Sequence, residues 1–367
     1  MTPEDQAWEV VRRAFEERTP ARRRSNKLAL AATAIAVVAL AGAALSPPGR
    51  AVFTSVRKAV GIEHAAPALF SLPASGRLLV VSARNGGTWM VKADGFLRKL
   101  GPYSDAEWSP HGLYVIATEP NELVAFDPDG GVRWKLARRN PSSPRWEGTM
   151  TDTRIAYIAA SGLRVVAGDG TGDHLLDAHA GDVPPAWDPS RLHTVAYYGG
   201  GAIVLRRADG PLVWHATLKM TPSDLEWSSD GRYLAVVSPK QIVVIDRRGR
   251  VHRTISMLGA ELRQATFRPS THELAVVVRS AGRSEVRIVD VDHPGTARLL
   301  FAGPGTFGDV EWSPTGAWLL VNWPDANQWV FIKGKRVRAV ANIREQFARA
   351  DGLGPTLELS GRWCCSK

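Results

Sequence analysis

The stretch Ala106-Glu107-Trp108-Ser109-Pro110-His111-Gly112, with the apolar run Leu113 to Ala117 behind it, returns twice further along the chain. The second copy is Leu225-Glu226-Trp227-Ser228-Ser229-Asp230-Gly231 before Tyr233 to Val237, and the third is Val310-Glu311-Trp312-Ser313-Pro314-Thr315-Gly316 before Ala317 to Val321. Degenerate copies stand at Ala186-Trp187-Asp188-Pro189 and Thr266-Phe267-Arg268-Pro269, and weaker ones centre on Leu72 and Met150. Anchors at Leu72, Trp108, Met150, Trp187, Trp227, Phe267 and Trp312 are spaced by 36, 42, 37, 40, 40 and 45 residues, which average 40.

A repeat of that length marks propeller blades. The second unit reads as four short strands, Asp105–Trp108, Leu113–Thr118, Glu122–Asp127 and Gly131–Arg138, parted by turn residues such as Asp127-Pro128-Asp129-Gly130. One blade alone buries its faces poorly, whereas stacking blades in a ring covers both faces of each. A Trp ending the innermost strand fills the wedge between blades, and Ser-Pro with Gly turns the chain into the next strand. This accounts for a chain of 367 residues in which 13 of 29 aromatics are Trp. The expected fold is therefore all-β, a seven-bladed propeller of four-stranded blades over residues 66–342. In the tail, 343–367, a short helical stretch runs from Ile343 to Ala350, and Thr356 to Trp363 reads as a ring-closing strand or a plug, with Trp363 packed.

Ahead of the repeats, Leu28 to Leu45 holds 18 uncharged residues, nine of them Ala. As a helix they span about 27 Å, close to the hydrocarbon thickness of a bilayer. Seven basic residues precede the run and three follow it within twenty, which puts the N-terminus in the cytoplasm. Residues 28–46 are thus expected to form a single transmembrane helix in the lipid bilayer. Residues 1–27 form a basic leader with a short amphipathic helix (Trp8, Val11, Phe15), and 47–65 an amphipathic juxtamembrane linker. The alternative is a cleaved signal peptide and a secreted product, with small residues at Ala41-Gly42-Ala43.

The 46 basic and 36 acidic side chains leave a formal charge of +10, but they are scattered, and the dense Arg cluster flanks the apolar run; no nucleic-acid partner is expected. The two cysteines, Cys364 and Cys365, are neighbours, which excludes a disulfide framework. Adjacent Cα atoms lie about 3.8 Å apart, closer than the roughly 4.4–6.8 Å usual for a disulfide, so a ring between them would be strained. A free, lipidated or intermolecular thiol stays open.

Catalytic chemistry is sparse. Gly303-Pro304-Gly305-Thr306-Phe307-Gly308 fits G-x-G-x-x-G literally but runs into a strand anchor rather than a helix, so it reads as a loop. No G-x-S-x-G, H-E-x-x-H or P-loop occurs, and no catalytic residues or cofactor are assigned. Asp169, Asp173, His174, Asp177 and His179 crowd oxygen and imidazole groups into one segment, the weak metal candidates of this chain, although the surrounding glycines equally suit an exposed hairpin.

The Trp-Ser-Pro-x-Gly run with its apolar strand, at 108–117 and 312–321, resembles the blade signature of TolB-type propellers and, more loosely, WD-repeat propellers. That resemblance covers about three-quarters of the chain and implies a non-enzymatic interaction platform. The passages 129–134 and 209–214, each ending in Trp, are similar to the Asp/Gly/Trp repeats of quinoprotein propellers, but only two units show them. The expected function is a membrane-anchored, extracytoplasmic module that binds a protein or envelope component on a propeller face. The alternatives are transmembrane signalling through a cytosolic partner of the N-terminal helix, and a metal- or quinone-dependent propeller enzyme.

Overall fold

The computed structural model describes residues 71–82, 87–293, 295, 297–349 and 359–365. The leader, the proposed transmembrane helix at 28–46 and the linker at 47–65 lie outside the described residues. Among the described residues, no helix is long and apolar enough to cross a membrane.

Seven four-stranded antiparallel sheets form seven blades. The innermost strands, in ring order, are Leu359–Cys364, Asp105–Trp108, Ser142–Gly148, Ala186–Trp187, Asp224–Trp227, Glu261–Phe267 and Val310–Trp312. Each touches the next, and the last touches the first, so the ring closes. Blade 1 is assembled from both ends of the described chain: Leu359–Cys364 pairs antiparallel with Arg77–Ser82, which continues into Gly87–Lys92 and Leu97–Gly101. The ring therefore extends beyond the expected boundary at 342, and of the two readings of the tail the closing strand is the one observed. Helix Ile343–Arg349 leads toward it, burying Ile343 and Phe347 against Trp89 and Trp329.

Period-2 alternation explains the core. Within Arg77–Ser82, Leu78 and Val80 face blade 7 while Leu79 and Val81 face blade 2. Each of the seven apolar clusters is shared by two neighbouring blades, and none belongs to a single blade. Removing buried apolar area from water drives the association, so each blade relies on its neighbours to cover its faces. In six blades the pairing of third and outer strands slips by a residue, a bulge that adds the twist the ring needs.

Two sequence anchors are corrected. The aromatic ending the innermost strand of blade 1 is Trp363, not Leu72, which precedes the second strand and packs between blades 7 and 1. In blade 3 it is Trp146, not Met150, which is 63% exposed on the following turn. The innermost strand of blade 3 carries a bulge after Ser142, and no Ser-Pro-x-Gly follows its Trp, so the repeat pattern slid four residues along. The common position is confirmed by one bond seen in three blades: Trp108, Trp187 and Trp227 each donate Nε1–H to the carbonyl of the residue before the aromatic of the preceding blade, namely Arg362, Arg145 and Ala186.

Candidate interaction face and central channel

Alternation along the innermost strands sends the aromatic between blades and its preceding residue into the central channel. One residue per blade results, in ring order Arg362, Glu107, Arg145, Ala186, Glu226, Thr266 and Glu311. Two residues earlier along the strands come Asp105, Asp224 and Asp309, so three blades share Asp-x-Glu-Trp. Arg362 Nε lies 3.1 Å from Glu107 Oε2, with Arg145 on the other flank at 3.9 Å. The Trp363 N–H points at Glu311 Oε1 at 3.4 Å, and Thr266 Oγ1 donates to Glu226 Oε1 at 3.2 Å. Arg362 is 39% exposed although protein surrounds it, as befits a group in a water-reached channel.

Crowded carboxylates in a confined space resist ionisation. Burial, reinforced by the neighbouring Asp224 charge, pushes Glu226 up to about 7. Glu311 is pushed up to about 8 by burial, with Arg362 opposing and Glu226 and Glu107 adding to the rise. Burial also raises Asp224 and Asp309. Arg362, held chiefly by Glu107, stays charged.

The ring has two unlike ends. At the upper end, innermost strands turn into second strands through the Trp-Ser-Pro-x-Gly loops, and third strands turn into outer ones. Of 11 exposed large apolar side chains among the described residues, 10 lie in or beside these upper connections, including Phe96, Leu113, Tyr114, Met150 and Leu192; of the 11, Leu258 belongs to the lower end. Three of the upper ones, Leu113, Tyr114 and Met150, line a groove of about 390 Å³ between blades 2 and 3 together with Pro110, Arg133, Trp134, Trp146 and Asp169, while the others are spread over the upper turns of blades 1 to 5. Tyr114 stacks with Trp146 at 6.3 Å, and the Arg133 guanidinium sits 5.8 Å over the Tyr114 ring. The lower end has a depression of about 470 Å³ between the same blades, lined largely by Ser, Pro, Asn, Glu and Asp.

The upper end also carries an inter-blade clasp. His272 Nδ1 lies 2.5 Å from Asp292 Oδ2 and Nε2 lies 3.0 Å from Asp230 Oδ2, while Tyr233 Oη donates to Asp292 Oδ1 at 2.7 Å. Burial works against a charge on His272, but the two carboxylates outweigh it and raise its pKa.

The metal candidates are dispersed. Asp173 is taken by Arg138, by Arg164 at 2.5 Å and by the Tyr157 hydroxyl at 2.6 Å. Asp169 accepts from Thr171, Asp177 accepts from Tyr197 Oη and from the His179 N–H, and His174 bridges the Gly172 and Ala208 carbonyls. The His179 side chain is 87% exposed. Among the described residues, no group of three or more His, Cys, Asp or Glu side chains is placed to hold a metal ion. The Trp residues of the quinoprotein-like passages are inter-blade ties: Trp134 donates to Gly168 O at 2.9 Å and Trp214 to Arg247 O at 3.1 Å.

Sequence reasoning missed the channel carboxylates and the groove. The first had a signal in Asp-x-Glu-Trp, whose period-2 spacing puts both acids on one face. The groove had none, because its lining comes from two blades.

No family model and no curated protein matches the chain. Solved structures do. A protein of unknown function from Desulfotomaculum acetoxidans has a TM-score of 0.58 at 11% identity, covering 79% of this chain and 99% of its own. The C-terminal WD40 domain of Sif2 has a TM-score of 0.56 at 13% identity, covering 75% and 88%. Hydrazine synthase of Kuenenia stuttgartiensis has a TM-score of 0.50 at 15% identity, covering 62% and 75%. At such identities these likenesses establish the fold, a seven-bladed propeller with WD40-like neighbours.

Proposed function

We propose that this chain is a membrane-anchored, non-enzymatic, TolB-like propeller whose upper face binds a protein outside the cytoplasm. The observation that carries the reading is the upper-face groove, in which exposed Leu113, Tyr114 and Met150 adjoin Trp134 and Trp146, on the end of the ring that also holds most of the exposed apolar side chains among the described residues. Contiguous exposed apolar surface on a folded domain marks an interaction site, and Tyr, Trp, Met and Arg are the residues enriched at such sites. The uncharged run from Leu28 to Leu45, with its basic flank on the N-terminal side, supports anchoring and an outward propeller.

Two experiments test this reading. Protease added to intact cells should digest the propeller and spare the leader; a protected propeller would overturn the extracytoplasmic placement. A photo-cross-linking residue at Met150 should give one discrete protein adduct that Leu113→Asp abolishes, and the same residue at Leu258 should give none. Equal labelling from both sites, or no adduct from Met150, would sink the assignment of the upper face.

A further inference from the structure

The sequence left a free, lipidated or intermolecular thiol open, but the structure joins Cys364 to Cys365 in a vicinal disulfide at the end of the strand that closes the ring. Cys365 has a left-handed backbone, φ 57°, which turns the chain back on itself so that both sulfurs reach the same side. Cys364 lies opposite Arg77 in the closing pair, and both cysteines are half-buried, open enough for a thiol to reach.

Their seat is built by two glycines. At Gly76, φ 111°, a Cβ would lie 2.6 and 2.8 Å from the Cys364 and Cys365 carbonyl oxygens. At Gly112, φ 65°, a Cβ would lie 2.5 Å from Cys365 Sγ and 3.2 Å from Cys364 Sγ. Gly112 belongs to blade 2, so the disulfide fills the seam between the closing strand and the next blade. That same point is 2.6 Å from Arg77 Nη2, which places the guanidinium nitrogen within about 5 Å of Cys365 Sγ. Arg77 Nη2 also donates to Gly112 O, and its guanidinium sits 4.8 Å over Trp108. A fixed cation beside a thiol favours the thiolate, the form that attacks and re-forms disulfides.

We propose that Cys364–Cys365 is an oxidoreducible site, opened by a dithiol through thiol–disulfide exchange, and that opening it loosens the turn of blade 2 seated against it. One thiolate of the dithiol attacks a cysteine sulfur, the S–S bond breaks, and the other cysteine leaves as thiolate. The second thiol of the reagent then attacks the mixed disulfide and releases the first cysteine. Two electrons pass to the cysteines, two protons follow them, and the dithiol departs as a disulfide. Bonded sulfurs sit about 2.05 Å apart, whereas free ones need roughly 3.5 Å or more, and the Gly112 seat has no spare room. Either a thiol swings out or the turn gives way. The turn at 109–114 also supplies His111, Leu113 and Tyr114 to the groove, so reduction reaches that surface. This last consequence rests on the binding role proposed above; the redox site does not.

The test uses the full chain in lipid nanodiscs, with dithiothreitol as the dithiol, thiol counting by alkylation mass shift and amide hydrogen exchange by mass spectrometry. Before reduction no cysteine should alkylate, and afterwards two should. Peptides spanning 77–82 and 109–114 should then exchange about tenfold faster, with 233–237 unchanged, and reoxidation should restore the slow rates. The Cys364→Ser/Cys365→Ser variant should show no response to dithiothreitol, whatever its own baseline. Two free thiols persisting after oxidant treatment, unchanged exchange on reduction, or a response in the double variant would each overturn the proposal. Because none of these readouts uses a partner, failure of the binding role leaves them interpretable.

Discussion

The upper and lower ends of the ring are made from the same strands and differ in what the connections carry. Strand interiors obey one rule, apolar residues alternating between two neighbouring blades, and this rule holds from end to end. Among the described residues, the upper turns add apolar tips on five blades and, between blades 2 and 3, an aromatic groove; the lower ones are mostly polar, Leu258 aside. A propeller thus separates stability, kept in the strands, from recognition, placed in turns that can vary without disturbing the stack.

The comparison can be broken most forcefully through what the two ends share. Trp363→Ala removes a side chain only 6% exposed, packed on Phe331 at 5.8 Å, and is expected to cost about 3–5 kcal/mol in urea unfolding. A loss below 1 kcal/mol would mean that ring closure contributes little to either end.

The channel should respond to pH rather than to face. Glu311 has its folded pKa raised to about 8 from 4.5, so the folded state keeps a proton that the unfolded state gives up. Stability contributed by that protonated carboxyl is full below about 4.5 and is lost as pH rises toward 8. Glu311→Gln should flatten the change in stability between pH 5 and pH 8 by about 2–4 kcal/mol. An unaltered slope in denaturant titrations would show that the channel acids ionise freely.

The His272 clasp belongs to the upper end alone. With its folded pKa raised, its contribution is full below about 6.5 and fades as pH rises through the folded value. Because Asp230 is 51% exposed and screened, His272→Gln should cost only about 1 kcal/mol at pH 5.5 and less at pH 8.5. A cost independent of pH would point to packing against Tyr233 instead.

The smallest effect on stability sharpens the comparison furthest. Met150→Glu should change unfolding by no more than about 0.5 kcal/mol while lowering the yield of cross-linked partner from a probe at Leu192 about tenfold, the loss of roughly 1.4 kcal/mol of contact. Leu258→Glu should alter neither measurement. If both substitutions weaken capture alike, the asymmetry of exposed apolar residues has no functional meaning.

Most of this architecture was legible in the sequence because it repeats. Trp108, Trp227 and Trp312 announce their blades, and the strand Asp105–Trp108 was read with its observed limits. Legibility failed where the repeat was interrupted or completed from afar. Trp146 lacks the Ser-Pro-x-Gly that follows its counterparts, and Trp363 serves a blade whose other strands begin at Arg77. The metal candidates misled because density along the chain is not convergence in space: outer-strand carboxylates meet arginines and tyrosines across the sheet and the seam. The groove left no trace, since Tyr114 and Trp146 meet only through the fold.

Closure by residues 359–364 also sets a clock. Blade 1 has three of its strands by Gly101, but the fourth is made more than 250 residues later. At 5–20 residues per second, that interval is roughly 13–50 s. Throughout it, the inner edge of Arg77–Ser82 has no strand to pair with, and Leu78, Val80 and Trp89 await the neighbours that will cover them. The newborn chain therefore passes through a long open-ring stage with an unsatisfied sheet edge, the period in which a holding chaperone would matter most and a neighbouring nascent copy would be the most dangerous.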